Sequence, residues 1–103
     1  MNGTISLFDR LLMARLHHLP SALHQSLKKR SLLKVISGLS NFDAASVEMV
    51  SRAAGFGGAD LLDVACSPDL VKLAIEASGL PVCVSAVDPE LFSKAVDAGA
   101  SMI

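Results

Sequence analysis

From Leu32 onward the chain alternates short apolar runs with longer stretches of helical periodicity. The first run, Leu32-Leu33-Lys34-Val35-Ile36-Ser37, is β-compatible and gives way to Gly38 and the turn residues Ser40-Asn41-Phe42-Asp43. A second, Leu61-Leu62-Asp63-Val64-Ala65-Cys66, leads into Ser67-Pro68-Asp69-Leu70. The third, Val82-Cys83-Val84-Ser85-Ala86-Val87, leads into Asp88-Pro89-Glu90-Leu91, and Ser101-Met102-Ile103 reads as the opening of a fourth. Between the runs, Leu70, Leu73, Ala74 and Ala77 share one helical face, as do Leu91, Phe92, Ala95 and Val96. Pro68 and Pro89 lie 21 residues apart, and Gly79 and Gly99 lie 20 apart. A strand, a turn, a helix and a glycine stop fit that period, which is the βα unit. The pattern predicts strands near 33–37, 61–65 and 82–86 and helices near 44–55, 68–78 and 89–98.

The helix ends carry their own signals. Ser67 and Asp88 are expected to accept hydrogen bonds from first-turn N–H groups, and either Asn41 or Asp43 does this for the first unit. Pro68 and Pro89 suit the first helical position, and Asp69 and Glu90 complement the helix dipole. Gly55, Gly79 and Gly99 are expected to close the helices. Strands apolar on both faces and joined by helices must be parallel and covered. Right-handed crossovers then leave a doubly wound sheet or a (β/α)₈ barrel. Gly55-Phe56-Gly57-Gly58 follows a helix and precedes a strand, the reverse of a dinucleotide fingerprint, which weakens the doubly wound reading. A complete barrel takes about 250 residues and at least about 200. The expected fold is therefore α/β: parallel βα repeats forming an incomplete, truncated TIM-barrel-like half barrel of three units and the start of a fourth strand. Stopping at Ile103, inside an apolar run, reads as a fragment or a truncated frame. A barrel's usual phosphate cradle, after strands seven and eight, would lie beyond it.

Charge divides the chain into a basic helical leader, residues 1–31, and a partial barrel, residues 32–103. The leader holds five basic residues against Asp9 alone, and the remainder holds four basic and nine acidic residues, for a net −1. Its Leu7, Phe8, Leu11, Leu12 and Leu16 suit an amphipathic helix covering one end of the domain. The alternative, a remnant of an organelle-targeting segment, sits less well with Asp9 and the scarcity of Ser. Pro20 separates a second helical stretch, Ser21 to Arg30. The balanced net charge excludes a general polyanion binder, so no nucleic acid partner is expected. No apolar run approaches the roughly 18 residues of a spanning helix, so no membrane partner is expected either. Cys66 and Cys83 lack disulfide-framework and metal-ligand spacing and read as small buried hydrophobes. His17, His18 and His24 have no carboxylates beside them and are interrupted by Pro20, so no metal is expected.

Three strings carry a resemblance. Leu33-Lys34-Val35-Ile36-Ser37-Gly38-Leu39-Ser40-Asn41-Phe42-Asp43, then Gly57-Gly58-Ala59 with Asp63-Val64-Ala65-Cys66, then Leu80-Pro81-Val82-Cys83-Val84-Ser85-Ala86-Val87-Asp88-Pro89 resemble the N-terminal part of the hypothetical chloroplast reading frame twenty-three family. That family is a plastid and cyanobacterial domain of unknown function, similar to phosphate-binding and aldolase-type TIM barrels. The similarity runs from about Leu23 to Ile103. It implies a barrel cut after three strands, and a chloroplast or cyanobacterial cytoplasm as the setting. It carries over no activity and no cofactor.

Candidate chemistry follows from the barrel expectation. Ligand contacts in a barrel come from the C-terminal ends of strands and the loops after them. Those positions are Ser37, Gly38 and Asn41, then Asp63 and Cys66, then Ser85. Alternation puts Asp63 and Ala65 on one face of their strand, and Cys83 and Ser85 on one face of theirs. Asp63 stands out, since an acid in an apolar strand needs a partner, a ligand or a proton. It is the candidate catalytic residue, with Ser37, Asn41 and Ser85 as candidate ligand contacts. Ser85 equally suits a small barrel filler, because no paired base is visible. Lys34 invites comparison with a Schiff-base lysine, but it starts its strand at the stability end and reads as a snorkelling surface residue. The expectation is a barrel derived from an enzyme that binds a small phosphorylated or anionic metabolite. The alternative is a non-catalytic, partner-binding or structural plastid protein. Unpaired edges and an uncovered face predict self-association of a fragment.

Overall fold

A computed structural model describes residues 20–103. Residues 1–19, with His17, His18 and the first part of the basic leader, lie outside the described residues. The elements are α1 (Ser21–Lys29), β1 (Lys34–Gly38), α2 (Ala44–Phe56), β2 (Leu61–Ala65), α3 (Pro68–Ser78), β3 (Val82–Ser85) and α4 (Phe92–Asp97). A 3₁₀ turn, Pro89–Leu91, leads into α4, so the helix expected near 89–98 is shorter and begins with tighter winding. The sheet order is β1-β2-β3 and every pairing is parallel. Ile36 stands beside Asp63, Asp63 beside Cys83, and Ala65 beside Ser85. A bulge at Ser37 breaks the β1 register between Ile36 and Gly38. Met102 adds a parallel bridge to Cys83, where Ser101 donates to the Val82 carbonyl at 2.7 Å and Val84 to the Met102 carbonyl at 3.1 Å. The repeat thus yields three parallel βα units with a fourth strand begun, in an open, half-barrel-like sheet.

Strand alternation sorts the side chains into two layers. Leu62, Val64, Val82 and Val84 are all but fully buried against α2, α3 and α4, with Val35 packed beside them. Burying each such side chain is worth roughly 1.5–3 kcal/mol. On the opposite face Leu61 and Cys83 pack against Leu23 of α1, with Leu27, Leu32 and Met102 around them. The second helical stretch of the leader is therefore docked on the sheet. Asp60 fastens it there: Ser26 Oγ donates to Oδ1 at 2.9 Å and the Leu33 N–H to Oδ2 at 2.8 Å.

Two helix-end expectations need correction, those for Ser67 and Gly55. Of the two candidates for the first unit, Asp43 caps α2, accepting from the Ala45 N–H at 3.3 Å. Asp88 accepts from the Glu90 N–H at 3.0 Å, as expected, although the turn it caps is 3₁₀. Ser67 precedes α3 but makes no side-chain cap, and Pro68 has already removed one of the N–H groups a cap would serve. Gly79 ends α3 at φ 69°. Gly55 instead lies inside α2, where a Cβ would sit 2.6 Å from the Ser78 carbonyl oxygen. Its role is the close α2–α3 crossing, and Gly57 is the residue that ends the helix.

Candidate functional site

The inner face of the sheet, opposite the α2–α4 layer, carries Leu61, Asp63 and Cys83, and α1 covers part of it. Asp63 projects onto it from the middle of β2 and is only 4% exposed. Ser85, one register step further along β3, donates its hydroxyl to both Asp63 oxygens, at 3.1 and 3.0 Å. The Lys34 ammonium from β1 lies 3.6 Å from Asp63 Oδ2. One buried carboxylate therefore joins side chains from all three strands, which resolves the partner that an acid in an apolar strand requires.

Cys83 faces the same carboxylate. Its thiol is pushed up to about 12, first by burial, then by the Asp63 charge and hydrogen bond, against a weaker opposing pull from Lys34. It is held as a neutral thiol. Cys66 is also raised by burial, and it donates to the Leu91 carbonyl at 3.3 Å.

The four residues singled out by sequence divide into two groups. Asp63 and Ser85 touch each other. Ser37 and Asn41 form a separate knot in the β1–α2 loop, where Asn41 Nδ2 donates to Ser37 Oγ at 3.2 Å and to Ser46 Oγ at 3.1 Å. Asn41 Oδ1 also accepts from the Asp43 N–H at 3.2 Å, so this knot shapes the entry into α2. Sequence reasoning set Lys34 aside as a snorkelling surface residue. Its Cα opens β1, but a lysine stem spans about two residues of strand rise, roughly 6–7 Å. The ammonium therefore reaches the level of Asp63, and a signal was available: alternation from the apolar Val35 places Lys34 on the inner face.

Among the described residues no group of three or more His, Cys, Asp or Glu side chains is placed to hold a metal ion, and no helix is long and apolar enough to cross a membrane. A groove of about 250 Å³, lined by Leu33, Val35, Val50, Ala53 and Ala59 among others, runs along the β1–α2 edge. It is apolar and lies on the helix side of the sheet, away from the polar cluster.

Comparison with known proteins places these features in a family. Residues 19–103 match the family described as protein of unknown function, DUF561. The uncharacterized protein ycf23 of Cyanophora paradoxa is 47% identical over 78 residues, covering 75% of this chain and 32% of the relative. The ycf23 protein of Antithamnion sp. is 37% identical over 81 residues, covering 79% and 29% respectively. That of Porphyra purpurea is 30% identical over 83 residues, covering 81% and 31%. The chain thus spans about a third of the length of the curated relatives it matches. No solved structure matches it. With its three strings of resemblance and its parallel βα repeat, the chain belongs to the DUF561 family, alongside its ycf23 relatives.

Proposed function

We propose that the inner face of this sheet is part of a binding site for a small phosphorylated or anionic metabolite, in a barrel derived from an enzyme. The observation that carries this reading is the convergence of Lys34, Asp63 and Ser85 from three strands on the face opposite the α2–α4 layer. Of the three, Ser85 closes its strand at the C-terminal end, the end at which barrels bind ligands. Asp63 is the residue placed to act as acid, base or hydroxyl acceptor, and Ser85 holds its orientation. Ser37 and Asn41 shape the β1–α2 loop at the rim of the same site. A plastid or cyanobacterial setting belongs to this proposal and draws on the ycf23 relatives. The test is Asp63→Asn in a complete family member. The fold should persist while retention or turnover of the metabolite falls. Loss of about 2 kcal/mol or more of stability with function intact would make Asp63 a structural carboxylate.

A second reading, a non-catalytic partner-binding protein, draws on a different observation. Leu33, 53% exposed, lines the apolar groove beside the edge of β1 that is unpaired among the described residues. Self-association through that edge is part of the same reading. Partner binding that survives simultaneous change of Asp63, Ser85 and Asn41 would favour it.

A further inference from the structure

We infer that Lys34 is the cation that receives the anionic group of the metabolite, an inference that rests on the proposal above that the inner face is a binding site. The two charged members of the cluster are presented differently. Asp63 is buried, and its oxygens are taken up by Ser85 and Lys34. The Lys34 side chain keeps 39% of its surface exposed, against 6% for Asp63. An ammonium has three donors, and the ion pair with Asp63 occupies one direction. Lys34 stands on the edge strand β1, where Ile36 is 63% exposed, so its remaining donors can be reached from solvent. A lysine is a point charge suited to phosphate or carboxylate oxygens. Asp63 then acts as a positioning residue for Lys34 in addition to its own role, because it holds a flexible four-carbon stem in one direction.

The isotope-labelled chain, titrated with inorganic phosphate, tests this by NMR, with glycerol and chloride as controls. Phosphate should move the Lys34 side-chain ε-carbon signal and the amides of Ile36, Asp63, Cys83 and Ser85, while glycerol and chloride should not. Lys34→Gln should weaken phosphate binding by about tenfold or more, because a charge-assisted contact is lost. Lys34→Arg should retain most of the affinity, and Lys72→Gln on α3 should leave it unchanged. If Lys34→Gln folds and binds phosphate as tightly as wild type, Lys34 is not the receptor, though the site stands. The wild-type side-chain signal gives the same answer without a variant: an unmoved Lys34 beside a shifting Ser85 overturns the inference. If no inner-face residue responds to phosphate, the inference and the anion-site proposal fall together.

Discussion

Asp60 and Asp63 are three residues apart, yet their surroundings give them different work. Asp60 holds α1 to the sheet, and the Leu33 N–H, followed by Ser26, lowers its carboxyl below the ordinary 3.8. A lowered folded-state value favours folding above the unfolded value, and that contribution disappears as pH falls through the folded one. The α1 clasp should therefore loosen below about pH 3.8. The Ser26 and Leu33 amide signals should report it, and Asp60→Asn should abolish that pH dependence. Cys83 yields a second prediction. A thiol held near 12 has almost no thiolate at mildly alkaline pH, so native Cys83 should resist alkylation and react fully once the chain is unfolded. Mass spectrometry of alkylated peptides checks this, and native labelling at the rate of a free thiol would contradict the inner-face packing. Neither behaviour was legible in sequence, because both depend on neighbours brought in from other elements.

The elements themselves were largely legible, for identifiable reasons. The Ser67-Pro68 and Asp88-Pro89 pairs mark helix starts by covalent constraint, so the α3 boundary and the turn into α4 fall where the prolines put them. Asp63 could be assigned a face because strand alternation is strict, and the parallel register sets Ser85 close enough to bond it. What stayed hidden needed a tertiary distance. Gly55 looks like a helix stop, but its lack of a Cβ serves the crossing with α3. Ser37 and Asn41 occupy strand-end positions, but the bulge turns them into a knot with Ser46. Lys34 was hidden by counting from its Cα instead of its ammonium. Gly55→Ala should gain up to about 1 kcal/mol in helix propensity. The Cβ must also push back the Ser78 carbonyl, and overpacking of this kind costs typically 1–3 kcal/mol. The expected net result is a loss of stability in urea unfolding. A variant more stable than wild type would contradict the close crossing.

For the molecule as a whole, the open sheet has consequences of its own. Among the described residues β1 has an unpaired edge, and Leu33, 53% exposed, lines the apolar groove beside it. Such an edge invites pairing with another chain. Analytical ultracentrifugation should show reversible association that Leu33→Gln reduces. A monomer at all concentrations would remove that surface from the account. The same open architecture makes register decisive, because a slip of one residue would turn Asp63 from the inner face into the helix layer. The most direct test is therefore the pattern of backbone NOEs between the strands of the labelled chain. The account predicts parallel contacts that place Ile36 beside Asp63 and Asp63 beside Cys83, with Ser85 beside Ala65. An antiparallel pattern, or a parallel one shifted by a single residue, would separate Lys34, Asp63 and Ser85 and contradict the site.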